Sequence, residues 1–250
     1  MRPTSAQRLL VLLLSLGAIA QAGAQGHLPL RVLISATHVM PQAQFVEGRL
    51  SGGIQYDLAM EIGKAVNVPV DFLVLPRKRL EQAARDREFD LLCHINPQWV
   101  SARGAYFWSQ PLYTVRDVIV GQSDAPIATR LSDLPRGARV GAVLGFIYPP
   151  LAEAFTEGKL LREDALDAHK VLLKVSAGRT PYAVVDEFVY DWYRRTTTPH
   201  RLADWRLVVV SNEAHCLVPK TSPWRAEELF GAINRVKSSG QVERILSRYR

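Results

Sequence analysis

Cysteine is scarce in this 250-residue chain, which has two, Cys93 and Cys216. That is too few for a disulfide-stapled miniprotein or a Cys-rich zinc module. No apolar run reaches the roughly 18–20 residues that a membrane-spanning helix needs. Standard catalytic signatures are missing as well: there is no HExxH, no GxSxG, no GxxxxGK[ST] and no Gly-rich dinucleotide turn after the first strand. His, Ser, Asp and Glu all occur, but their spacing singles out no triad. The 31 Lys and Arg against 24 Asp and Glu give a net charge of +7. These cations are scattered, without a polybasic run or an aromatic-interleaved stripe, which argues against a nucleic-acid surface.

What is present is ordinary globular composition, 48% hydrophobic and 22% charged, long enough for one or two domains with a large core. The amino terminus carries Arg2 and Arg8 and no acid. An uncharged stretch, Leu9 to Ala20, follows and ends in small residues at Ala20-Gln21-Ala22 and Ala22-Gly23-Ala24. A basic head, a short apolar middle and a small-residue exit describe a secretory signal peptide over residues 1–24. Export implies an oxidising compartment. Loss of the leader removes Arg2 and Arg8 and lowers the net charge to +5.

Beyond the leader, strand and helix patterns alternate. Leu30 to Ser35 reads as a buried strand. Ile54, Leu58, Ile62 and Val66 then recur every four residues as one face of a helix, preceded by Gly52-Gly53. Val70 to Leu75 is a second strand, Pro76 to Arg85 a short helix, and Asp90 to Ile95 a third strand. A further strand, Tyr113 to Val120, precedes a second unit. That unit holds a strand at Arg139–Val143, a turn at Gly145 and a helix from Tyr148 to Phe155. A helix over Asp167–Ala177, a strand at Tyr182–Asp186 and a helix from Glu187 to Arg195 follow. Two separate strands, Arg206–Val210 and Cys216–Pro219, and a helical tail from Trp224 to Tyr249 broken at Gly240 complete the pattern. The class is α/β: two lobes joined by strands, with a ligand cleft between them.

The pairs Cys93-His94 and His215-Cys216 sit on strands, where neighbours point to opposite faces. If Cys93 faces Cys216, both histidines point the other way. A disulfide, two buried thiols and a zinc site all remain open at this point.

Six segments in order, SGGIQYDLAMEIGKAVNVPVDF, AARDREFDLLCHINP, SARGAYFWSQPLY, LPRGARVGAVLG, SAGRTPYAVVDE and SSGQVERILSRY, resemble family 3 of the bacterial extracellular solute-binding proteins. The resemblance runs from about Leu30 to Arg250. It implies a type II periplasmic-binding fold, with lobe 1 formed by residues 25–119 plus 212–250 and lobe 2 by residues 120–211. It further implies a periplasmic monomer without a cofactor, closing on a small amino acid or organic acid and delivering it to an ABC transporter permease in the inner membrane.

Carried over residue by residue, the family's carboxylate-binding arginine corresponds to Arg103. Its ammonium-binding aspartate corresponds to Asp186, which equally suits the cap of the helix that follows. His94, Asn96 and Trp99 fall where the family lines its cleft, and Asn and Trp suit hydrogen bonding and stacking. His38 and Arg77 follow the first and second strands, where the family often has aromatics. Phe146, Ile147 and Tyr148 follow Gly145, where the family has a small hydroxyl residue. That departure weakens ordinary α-amino-acid recognition, but leaves backbone N–H groups at a helix start for an anion. Two alternatives on the same fold are a dehydratase-like enzyme, with Glu187 or His94 as its acid or base, and a ligand-sensing subunit of a membrane receptor.

Overall fold

The computed structural model describes residues 28–250; the expected leader lies outside them. Strand β1 (Leu30–Ser35) is followed by a small hairpin, β2 (Gln44–Val46) and β3 (Arg49–Gly52), which the sequence reading missed. Helix α1 (Ile54–Val66) presents Ile54, Leu58 and Ile62 inward, as their four-residue spacing requires, and ends on Asn67 in the left-handed region. Gly53 precedes it at φ 103°, and a Cβ there would sit 2.7 Å from the Ala43 Cα and 2.8 Å from the Gln42 carbonyl. Only glycine fits that crossing of two backbones.

Strand β4 (Val70–Leu75) pairs in parallel with β1, and a single-turn 3-10 segment leads into α2 (Leu80–Arg85). Strand β5 (Leu92–Ile95) adjoins β1 through the Leu33 N–H, which donates to the Leu91 carbonyl. A short β6 (Tyr106–Trp108) precedes the long β7 (Tyr113–Gln122). The second unit contains β8 (Ala138–Val143), α3 (Pro149–Thr156), β9 (Leu160–Ala165), α4 (Ala168–Ser176), β10 (Tyr182–Asp186) and α5 (Glu187–Thr196). Strand β9 was not anticipated, because its residues LLREDA are half charged.

The two late strands are a single 18-residue strand, β11 (Leu202–Pro219). Its first part, to Ala214, pairs antiparallel with β7; its last residues pair with β5 and β6. The polar stretch Ser211-Asn212-Glu213 reads as a break, yet it stays extended because β7 supplies a ladder partner for each residue. Strand β11 thereby passes from one half of the molecule to the other. In the second half, β10 pairs antiparallel with β7 and parallel with β8, which pairs parallel with β9.

The chain closes with α6 (Ala226–Ser238) and α7 (Gln241–Tyr249), separated by Gly240 at φ 71°. Both pack on α1, and Leu229, Ile233 and Ile245 join Leu30, Leu58 and Ile62 in one apolar core. Full burial of each such side chain contributes about 1.5–3 kcal/mol. The second half has its own core, with Val118, Val171, Leu172, Val175 and Tyr190. Side chains cross between them: Val39 packs on the second core, Phe188 of α5 is buried in the first, and the Trp192 ring of α5 meets Tyr249 of α7 at 5.9 Å. These crossings hold the two units against each other beside the end of β10.

Candidate functional site

The cysteines decide the local geometry. Cys93 and Cys216 are opposite in the β5–β11 ladder and joined as a disulfide. The register then slips: Cys216 pairs with Cys93 but His215 pairs with Ile95, leaving His94 as an unpaired extra residue at φ 57°. This bulge overrides strict alternation. The two histidines, expected on one common side, occupy different surroundings. His215 Nδ1 lies 2.8 Å from the Ser109 carbonyl and its ring meets Trp108 edge-on. His94 is turned into the junction between the halves, its Nδ1 2.9 Å from Tyr113 Oη and its Nε2 3.9 Å from Asp186 Oδ2.

Asp186 caps the helix that follows with one oxygen and keeps the other turned to the first half. Oδ1 caps α5, accepting from the Phe188 N–H at 2.7 Å and the Val189 N–H at 3.3 Å. Oδ2 faces the first half, where Gln42 Nε2 approaches to 3.5 Å. Burial, then the neighbouring Asp117, push the Asp186 carboxyl up to about 7. Burial drives His94 down to about 3, with His38 adding to the effect, so the 3.9 Å approach brings a neutral imidazole to the carboxyl.

His38 completes the first-half wall. Its Nδ1 lies 2.7 Å from Gln55 Nε2, and its ring meets His94 edge-on at 5.5 Å. Burial and the Arg77 charge lower it to about 4. Arg77 itself donates to the Trp99 carbonyl, and the Trp99 ring lies 6.5 Å from His94. His38, Arg77, His94, Trp99 and Asp186 are thus linked through successive neighbours.

The remaining expected residues differ in their surroundings. Asn96 is buried but spent on structure: its Oδ1 accepts the Gln98 N–H, and its Nδ2 donates to the Glu213 carbonyl. Arg103 lies exposed on a short turn, its carbonyl accepting from Trp108 Nε1. Gly145 makes its turn at φ 79°, and Phe146 is half-buried against the second-half core. Tyr148 is buried, its hydroxyl accepting the Val143 N–H at 3.2 Å. The helix start expected to hold an anion is weakened, because Pro149 and Pro150 carry no N–H and the Phe146 and Leu151 N–H groups are already bonded. Glu187 is engaged by Arg116 and Arg206, both at 3.1 Å.

Four residues escaped the sequence reading: Gln42, Gln55, Tyr113 and Asp117. Asp117 stands directly opposite Asp186 on β7, and burial raises its carboxyl to about 6. Its signal was an acid on the strand Tyr113–Val120, between Val115 and Val118. Gln42 and Gln55 gave no signal, since glutamine in a polar loop or early helix is commonplace. Both are buried, and the side-chain oxygen of each lacks a hydrogen-bond partner.

The comparisons agree with this architecture. The model of the bacterial extracellular solute-binding proteins, family 3, matches residues 30–250. The membrane-bound lytic murein transglycosylase F of Shewanella halifaxensis (strain HAW-EB4) is 24% identical over 166 residues, covering 65% of this chain and 35% of that protein. The chain therefore spans about a third of the length of that relative. Among solved structures, a histidine kinase sensor domain with similarity to periplasmic binding proteins superposes with a TM-score of 0.73 at 20% identity, over 90% of this chain and 96% of that one. The arginine-, lysine-, histidine-binding protein ArtJ from the thermophilic bacterium Geobacillus stearothermophilus gives 0.69 at 18% identity, over 88% and 94%. The mixed α/β architecture is thus the periplasmic-binding-protein fold, and the match over residues 30–250 shows that the chain belongs to family 3 of the bacterial extracellular solute-binding proteins.

Proposed function

We propose that this protein captures a small polar solute bearing an amino group and a carboxylate, an amino acid or a close relative, between a first lobe of residues 25–119 plus 212–250 and a second of residues 120–211. The observation that carries this reading is Asp186. One oxygen is fixed by the start of α5, and the other faces Gln42 and His94 of the opposite half. A desolvated carboxyl with no lysine or arginine paired to it among the described residues suits a ligand ammonium.

Arg103, on the turn that follows β5 and Trp99, supplies the guanidinium for the ligand carboxylate, and His38, Trp99 and Phe146 supply the walls. The two halves close on the occupied site by the hinge movement that two-lobed binders use. The closed form is then recognised by an ABC transporter permease, and the protein works outside the inner membrane after removal of its leader. In support, ArtJ is named as an arginine-, lysine- and histidine-binding protein, and another neighbour as the substrate-binding protein of an amino acid ABC transporter.

A thermal-shift screen of the purified protein against amino acids, amines and small organic acids tests this. A ligand at a hundredfold excess over its Kd stabilises the fold by about 2.7 kcal/mol. The reading expects a hit among carboxylate-bearing amines, and loss of that hit in Arg103→Ala. A flat screen of folded protein contradicts it.

One observation favours catalysis as a second reading: a carboxyl at about 7 beside a neutral histidine is poised for general acid–base work. Glu187, held by two arginines, is poorly placed for that task. Turnover of a cyclic dicarboxylic acid by the purified protein, lost in His94→Gln, distinguishes the enzyme from the binder.

A further inference from the structure

We infer that Asp117 is a specificity-determining residue that, together with Asp186, selects solutes carrying an organic cation, a guanidinium or an additional ammonium, over neutral and acidic ones. The inference rests on the solute-binding reading above and narrows its ligand class.

The two carboxylates occupy directly opposite positions in the antiparallel β7–β10 ladder, so both side chains leave the sheet on the same face, their Cβ atoms about 5 Å apart. Like charges placed so oppose folding. The neighbouring Arg116 points to the other face, where it pairs with Glu187. Arg77 is turned to the Trp99 carbonyl. Burial acts on Asp117, and burial, the Asp117 charge, the α5 cap and Glu187 act on Asp186, with no arginine or lysine offsetting them among the described residues.

A second feature points the same way. Gln42 is 2% exposed, and its Nε2 approaches Asp186 while its Oε1 has no partner. An amide oxygen without a partner is thus held on the side chain that approaches Asp186. The corner where the halves meet is rich in acceptors: the Asp117 carboxyl, Gln42 Oε1 and Asp186 Oδ2, the last met by the long 3.5 Å approach of Gln42 Nε2. What satisfies such a corner must bring several N–H donors and positive charge. An ammonium offers three donors and a guanidinium five. A metal ion fits less well, because no group of three or more His, Cys, Asp or Glu converges on one point among the described residues.

The test is calorimetric titration of the purified protein at pH 8 with L-arginine, L-lysine, L-glutamine and L-glutamate, using wild type and Asp117→Asn. The expected result is a preference of at least tenfold for L-arginine or L-lysine over L-glutamine. In Asp117→Asn the cationic ligand weakens by tenfold or more, while L-glutamine changes by less than twofold. Equal affinity of wild type and variant for the cationic ligand overturns the role of Asp117. Should the variant not fold, the wild-type ranking decides: a preference for L-glutamine or L-glutamate overturns the inference and leaves solute binding standing. Binding of none of the four overturns this inference, and a flat result in the wider screen overturns solute binding as well.

Discussion

Replacing Asp186 by Asn should make the ligand-free protein more stable, in a way that depends on pH. The carboxyl is raised from 3.8 to about 7 by burial and by Asp117. The folded state therefore holds this proton more tightly than the unfolded chain does. Stability is unaffected below pH 4, falls as pH rises from about 4 to about 7, and is flat above that. At about 1.4 kcal/mol per pH unit, the ionised carboxyl costs the fold about 4 kcal/mol at pH 8 and about 1.5 kcal/mol at pH 5. Because Asp117 rises to about 6 in the same corner, the two titrate as a pair and the slope spreads across both values.

Asparagine keeps an Oδ1 for the Phe188 and Val189 N–H groups, so the cap survives. The expected gain at pH 8 is about 2–4 kcal/mol, a rise in melting temperature of roughly 5–15 °C for a chain of this length. Thermal melts and urea titrations of wild type and Asp186→Asn at pH 5, 6, 7 and 8 measure it. The gap should narrow by about 3 kcal/mol on going from pH 8 to pH 5. A variant no more stable than wild type at pH 8, or a gap that does not move with pH, refutes the account of a desolvated, cation-free carboxyl.

Three further outcomes follow from other parts of the fold. The disulfide Cys93–Cys216 closes a sequence separation of 123, so Cys93→Ser/Cys216→Ser should lose about 3–5 kcal/mol in urea melts. An unchanged urea midpoint would count against that bond. Gly53→Ala places a Cβ 2.7 Å from the Ala43 Cα at a positive φ, and should cost about 2–4 kcal/mol in the same assay. It should also disturb Gln42 and weaken ligand binding. Phe188→Ala removes a ring buried in the first core, with a loss of about 3 kcal/mol expected from thermal melts.

Much of the architecture was written in periodicity. The four-residue recurrence from Ile54 to Val66 and the apolar runs at Leu30, Val70 and Tyr182 each became the helix or strand they imply. The misses came where tertiary pairing outweighs local pattern. Strand β11 stays extended through Ser211-Asn212-Glu213 because β7 lies alongside, and β9 forms from a half-charged segment because β8 offers a parallel edge. At the site, Asp186 was legible as the cap of the helix that follows it. His94 was visible as a residue but not in its direction, since a bulge cannot be read from the sequence of one strand. Asp117 and Gln42 acquire meaning only through register and long-range approach: Asp117 lies across a ladder, and Gln42 is 144 residues from Asp186 in sequence.

The central claim, that the corner between the halves holds a small solute, is tested most directly by a crystal structure of the protein with its best-binding amino acid. The account predicts density for the ligand between His38, His94 and Asp186, with its ammonium within hydrogen-bond distance of Asp186 Oδ2. A ligand seated elsewhere, for instance in the surface cavity of about 430 Å³ against Gln122, Pro135 and Tyr182, with the Asp186 corner unchanged, would contradict it.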